Sequence, residues 1–217
     1  THIIFFLKQL CVYAKNFDFI EDFDDNSNFW NVNSNEFYTA KVENGKYTIN
    51  HIDSLGANLF WNHNVDIEFE SDFLITTSYH QLSGSDLYAH GLVWGGLDGN
   101  NFYAFTISSQ GVANIYKFDD GDYINLLEPI DKSEFIYGLG EENILSIQKS
   151  GDQVFFLING NLIHSCLYQK NFGNKIGFVL NTNMKISVDW LKIKSGDFQI
   201  KADIDQPDII WITPSHG

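Results

Sequence analysis

Apolar and polar side chains alternate in short runs from about Phe17 to Ile193, and each run closes on Gly, Asn or Asp. Lys46-Tyr47-Thr48-Ile49-Asn50 follows the turn Glu43-Asn44-Gly45, and residues 65–70 alternate strictly. Gly91-Leu92-Val93-Trp94-Gly95-Gly96 leads into Asp98-Gly99-Asn100, and residues 101–108 return. Residues 112–118 end at Asp119-Asp120-Gly121-Asp122. Residues 144–149 and 154–158 flank Ser150-Gly151-Asp152, and Asn159-Gly160 follows. Asn-Gly is the strongest short hairpin signature, because both residues tolerate the positive φ of a type I′ turn. Leu162-Ile163-His164, residues 175–180 and residues 185–193 complete the set. No segment sustains a 3.6-residue period, although Ile124-Asn125-Leu126-Leu127 and the stretch around Glu141-Glu142 each have room for one helical turn.

Many short antiparallel strands joined by turns predict an all-β fold, a jelly-roll β-sandwich of two antiparallel sheets. The two-residue period sends Val154, Phe156 and Ile158 to one face, and Gln153, Phe155 and Leu157 to the other. Ile176, Phe178 and Leu180 share a face in the same way, and the first set of each is expected to fill the inter-sheet core. The sandwich is expected over 17–194. Residues 1–16 are expected to be an N-terminal segment, and 195–217 a C-terminal linker toward other domains of the same parent chain. The apolar run Ile3-Ile4-Phe5-Phe6-Leu7 and the Val-x-Ala at Ala14 suit a secretory signal remnant or an edge strand. No run approaches the roughly 18 apolar residues of a membrane span.

Composition narrows the partners. The chain has 217 residues, 44% of them hydrophobic and 19% charged, which is enough apolar material for a real core. All 13 basic residues are lysine, against 28 acidic ones, giving a net charge of −15. A nucleic-acid binder needs a basic stripe, and an anionic membrane surface repels an acidic chain. The expected partners are neutral or cationic: carbohydrate, a divalent metal or a protein surface. Of the two cysteines, Cys166 becomes a lone buried thiol if cleavage follows Ala14. Trp30, Trp61, Trp94, Tyr103, Tyr116 and Phe155 are candidate ring platforms for a sugar, which needs flat apolar faces beside hydrogen-bonding amides and carboxylates such as Glu68. Core packing is the competing role, and it weighs most for Trp94 and Trp190. The histidines His51, His63, His80, His90 and His164 are scattered without zinc spacing.

The order of several motifs resembles a known superfamily. Gly91-Leu92-Val93-Trp94-Gly95-Gly96 followed by Asn101-Phe102-Tyr103-Ala104-Phe105 is similar to a strand pair of bacterial concanavalin A-like lectin/glucanase domains. Leu145-Ser146-Ile147, Phe156-Leu157-Ile158-Asn159-Gly160, Gly173-Asn174-Lys175-Ile176-Gly177-Phe178 and Val188-Asp189-Trp190-Leu191-Lys192-Ile193 follow in family order. The likeness extends to the laminin-G-like and family-16-glycosidase-like relatives. It implies a carbohydrate-related, extracellular, periplasmic or cell-surface module.

The resemblance also implies two sites. Lichenase-like enzymes carry Glu-x-Asp-x-Glu on one strand. The matching stretch here is Asn64-Val65-Asp66-Ile67-Glu68, with an amide where the nucleophile belongs. An amide cannot form the glycosyl ester, so a non-catalytic binding module is expected. The alternatives are a hydrolase using Asp66, Glu68 and Glu70, and a structural or adhesion domain without a small ligand. Many domains of this fold hold one structural calcium through a last-strand Asp and backbone carbonyls. Asp189 matches that Asp, with Gly45 and the 23–25 region as carbonyl donors. Turn capping is the competing role for those acids.

Overall fold

The computed structural model describes residues 18–52, 56–62, 65 and 69–196, and the backbone of 198–202 and 210–214. Strands β1 (Phe19–Glu21), β2 (Asn33–Ser34), β3 (Tyr38–Val42), β4 (Tyr47–His51) and β5 (Asn58–Asn62) come first. The long strands β6 (Phe73–Ser83), β7 (His90–Asp98), β8 (Asn101–Ile107), β9 (Val112–Asp119) and β10 (Asp122–Asp131) follow. Then come β11 (Glu142–Ser150), β12 (Gln153–Ile158), β13 (Asn161–Leu167), β14 (Lys175–Leu180) and β15 (Met184–Ser195). Strands β16 (Phe198–Ala202) and β17 (Ile210–Pro214) pair with each other. No helix occurs among the described residues, so the two segments with room for a helical turn are extended or turned instead. Residues 124–127 belong to β10, and Glu142 opens β11.

Two antiparallel sheets face each other. The nine-stranded sheet runs β13-β12-β11-β6-β15-β4-β3-β2, with β1 beside the far end of β15. The six-stranded sheet runs β10-β9-β8-β7-β14-β5. Neighbours in these lists are often distant in the chain, which is the jelly-roll pattern of strands alternating between layers. The expected inward sets hold: Val154, Phe156, Ile158, Ile176, Phe178 and Leu180 all lie in the main core. The turn after β12 has φ of 50° at Asn159 and 79° at Gly160, the pair of positive values that this turn type demands.

One buried carboxylate organises the first loop. Glu21, only 3% exposed, accepts bonds from Phe23 N (2.8 Å), Asn28 Nδ2 (2.9 Å) and Trp30 Nε1 (2.7 Å). Those three donors pair the oxygens that burial would otherwise leave unsatisfied. It also seats Trp30 against Tyr47 (5.2 Å between ring centroids) and Phe178 (5.7 Å), tying the loop to both layers.

Of the run 65–70, read from sequence as an alternating strand, residues 65, 69 and 70 are described. Val65 and Phe69 are both buried in the core, while Glu70 lies in a turn before β6. Phe69 meets Phe73 edge-on at 5.2 Å. Inward positions four apart match the two-residue period read from Val65, and residues 66–68 lie outside the described residues.

Candidate aromatic binding face

A second apolar cluster lies outside the core. Val93, Phe102, Ala104 and Val179 form its buried floor, with Leu59, Trp61, Tyr116 and Phe118 packed around them. These residues alternate with the inward set Leu92, Trp94, Tyr103, Phe105, Ile115 and Phe178 along the same strands. They therefore cover the solvent side of the six-stranded sheet.

The rings form a connected strip. Phe102 stacks on Phe118 (5.0 Å, 16°), and Trp61 meets Phe102 edge-on at 5.8 Å. Tyr116 and Tyr123 lie 4.9 Å apart, with Tyr123 49% exposed. Glycine makes the middle of this face shallow. A Cβ on Gly96 would stand 2.6 Å from Trp61 Cη2, so the bare backbone there lets the indole lie across the sheet. Burial, helped by the neighbouring Tyr123 phenol, holds the Tyr116 hydroxyl above the ordinary phenol range, so it stays protonated.

Polar groups border the rings at β9 and β10. Asn114 Nδ2 donates to Tyr123 Oη, which donates to Asn125 Oδ1, each at 2.8 Å. Asn125 Nδ2 donates in turn to Glu128 Oε2 at 2.8 Å. Asn114 Oδ1 is buried and has no donor in the protein. Flat rings beside amides and a carboxylate are the chemistry that recognises a hydroxylated ring with apolar C–H faces.

The sequence-derived ligand set divides among three places. Tyr116 belongs to this face. Trp94 and Tyr103, each 4% exposed, stack on each other inside the sandwich at 5.4 Å. Phe155 packs with Leu157 and Leu162 on the outside of the other sheet. Glu68 lies outside the described residues, as do Asp66, Asn64 and His63. Glu70 is 74% exposed, with Lys170 Nζ 3.7 Å away. Trp30, also a candidate platform, is core. Trp190, weighed toward the core, is outside it, with Lys192 Nζ 4.5 Å from its ring. A β-bulge between Val188 and Trp190 reverses the alternation, so Leu191 and Ile193 take the inward positions. Phe102, Phe118 and Tyr123 were not singled out from sequence. Their signal was the alternation itself, which marks apolar residues on both faces of β8 and β9.

The residues expected to hold calcium do not fit a calcium ion at Asp189. Its carboxylate accepts from Lys46 Nζ at 2.8 Å, and His80 Nδ1 stands 3.7 Å away. An ammonium already balances this acid. Gly45 lies beside the 22–25 loop, where a Cβ on it would stand 3.6 Å from Asp24 Oδ1 and 3.9 Å from the Asp22 carbonyl. Asp22 and Asp25 accept backbone bonds from Asp24 (3.3 Å) and Ser27 (2.7 Å), the turn-capping role. Among the described residues, no three His, Cys, Asp or Glu side chains gather as a metal cage. Excess EDTA is therefore expected to leave the melting temperature within about 1 °C of its starting value, whereas binding of a required ion would make it chelator-dependent. Lys46→Met should cost no more than about 1 kcal/mol, since both partners of the pair are partly solvated.

Neither a protein-family model nor a curated protein sequence matches the chain. Solved structures do match in shape. The β-glucanase of Bacillus licheniformis superposes with a TM-score of 0.58 at 11% identity, over 84% of this chain and 100% of that one. The carbohydrate recognition domain of Emp46p gives 0.56 at 13% identity, over 80% and 91%. A xylan β-1,4-xylosidase from Bacillus halodurans gives 0.57 at 14% identity over 84% of this chain, which spans only 40% of that longer protein. At these identities the likeness is one of fold. Together with the two-sheet topology, it shows that the chain has the concanavalin A-like jelly-roll fold.

Proposed function

We propose that this domain is a non-catalytic module that binds a neutral carbohydrate on the solvent side of its six-stranded sheet. The observation that carries the reading is the second apolar cluster, in which Trp61, Tyr116 and Phe118 lie half-buried on a face of a sheet whose core is already complete on the other side. A contiguous exposed apolar patch marks an interaction surface. The Asn114–Tyr123–Asn125–Glu128 relay supplies directional bonds to hydroxyls. The chain has no arginine and a net charge of −15, which disfavours uronates and sulfated sugars. Neighbours that bear names of sugar-processing and sugar-recognising proteins support the ligand class. The same reading favours an extracellular, periplasmic or cell-surface setting, where polysaccharide is met.

Binding rather than hydrolysis is favoured by the residue types of the aromatic strip, which are rings and amides rather than a facing pair of carboxyls. The test is affinity electrophoresis and calorimetry with barley β-glucan, laminarin and xylan. Trp61→Ala and Tyr123→Ala are each expected to weaken binding by about tenfold, roughly 1.4 kcal/mol. Failure of all three glycans to bind at millimolar concentration would remove this reading. Hydrolysis of any of them that disappears in Glu68→Gln would replace it with the enzyme.

A further inference from the structure

The polar border of the aromatic face has a fixed hydrogen-bond direction. Asn114, Tyr123, Asn125 and Glu128 bond in series along β9 and β10, with 2.8 Å at each link. An ionised carboxylate accepts hydrogen bonds and donates none. Glu128 Oε2 therefore requires the Asn125 amide nitrogen opposite it, which turns Asn125 Oδ1 toward Tyr123. The single phenolic proton of Tyr123 is then taken by Asn125, and Asn114 must present its own nitrogen to Tyr123 Oη.

The far end of the series shows the consequence. Asn114 Oδ1 is buried without a donor among the described residues, an unfavourable state for an acceptor. Rotating the Asn114 carboxamide would bring this oxygen to Tyr123, but two oxygens would then face one proton. Reversing the whole series would set Asn125 Oδ1 against Glu128 Oε2 with no hydrogen between them. An orphaned oxygen at Asn114 is thus what a series anchored on a carboxylate requires. The same direction decides what a ligand meets. Asn114 and Asn125 are half-buried, whereas Tyr123 and Glu128 are exposed. Tyr123 Oη has no proton left, and Glu128 Oε1 takes no bond among the described residues. Both exposed members offer lone pairs alone.

We infer that Glu128 sets the hydrogen-bond polarity of this face, so that the sugar group seated at Tyr123 and Glu128 must be a donor. The inference rests on the carbohydrate reading above and narrows its ligand class. A free hydroxyl fits, whereas an ether or ester oxygen at the same place meets only lone pairs. The domain thus selects unsubstituted glycan over O-alkylated or O-acylated chains of the same backbone. Glu128 works partly through its neighbours, as a positioning residue for Asn125 and Tyr123.

The test is affinity electrophoresis of the full chain in barley β-glucan, laminarin and xylan, each beside the same polymer carrying on average one methyl ether per sugar. The parent is expected to bind the unmodified form at least about tenfold more tightly. A methyl group also adds bulk, and Glu128→Gln separates bulk from polarity. Glutamine keeps the shape of glutamate and brings N–H donors that an ether oxygen can accept. In that variant the preference should shrink below about threefold, through tighter binding of the methylated polymer. Equal binding of the two forms by the parent would overturn the inference and leave the carbohydrate reading intact. A preference that persists undiminished in Glu128→Gln would give it a steric origin and overturn the inference as well. Binding of none of the unmodified polymers by the parent would remove both the reading and the inference.

Discussion

Between pH 6.5 and 5 the domain is expected to lose about 1.7 kcal/mol of stability through His90 alone. His90 is 1% exposed at the start of β7, and burial drives its pKa down from 6.5 to about 3. Its Nε2 bonds Gln81 Oε1 at 3.1 Å, and Ser109 Oγ donates to the same oxygen. The Gln81 amide nitrogen donates to Ser85 O, which fixes the oxygen toward the histidine. His90 must then carry its proton on Nε2, leaving Nδ1 bare, and Nδ1 has no partner. A second proton would be buried with no acceptor. The folded pKa is depressed, so the unfolded chain binds more protons below pH 6.5 and stability falls as pH falls. The slope is about 1.4 kcal/mol per pH unit and persists toward the folded pKa. His164, also lowered by burial but more open to solvent, adds to this in the same direction. The readout is therefore the difference between the parent and His90→Phe, which keeps the edge-on contact with Tyr79. Urea melts at pH 7, 6 and 5 should show a shallower dependence in the variant by about one proton. Equal slopes would mean that His90 already titrates normally in the fold.

Gly177→Ala is expected to destabilise the domain by about 2–4 kcal/mol, a fall in melting temperature of roughly 5–15 °C at this size. Gly177 lies in β14 opposite Trp61 of β5. A Cβ there would sit 2.1 Å from Phe60 O, and that oxygen is backbone. No rotamer relieves such a collision, so β5 must move away from β14. Strand β5 is the edge of its sheet and carries Trp61, so the same change should disturb the aromatic face and weaken glycan binding. Gly99→Ala is the control, since nothing lies within 4 Å of its added carbon. That variant should stay within about 0.5 kcal/mol of the parent. A melting temperature for Gly177→Ala equal to that of Gly99→Ala would show that the sheet yields freely at this point.

Much of the fold was legible because alternation and turn chemistry agree. Asn159-Gly160 specified its hairpin, and Val154, Phe156 and Ile158 specified their layer. Periodicity misled where the chain leaves the strand lattice. At Trp190 a bulge shifts the phase. That event has no local sequence marker. The candidate face was harder to read. Trp94 and Tyr116 look alike as isolated aromatics, yet one faces inward and the other outward. Assigning them requires the phase of each strand relative to its neighbours, which long-range pairing sets. The bare imidazole nitrogen of His90 is likewise a product of packing between distant segments.

Strand β10 forms an outer border of the aromatic sheet. Its pairing with β9 shifts register between Asn125 and Leu127 and again between Leu127 and Ile130. Pro129 lies within it, and Asp122, Glu128 and Asp131 add negative charge along its length. A proline removes one amide from the free ladder, the irregular register twists the ribbon, and like charges repel a second copy. The protein can thus expose a ring-covered sheet in concentrated solution while resisting the edge-to-edge growth that leads to fibrils.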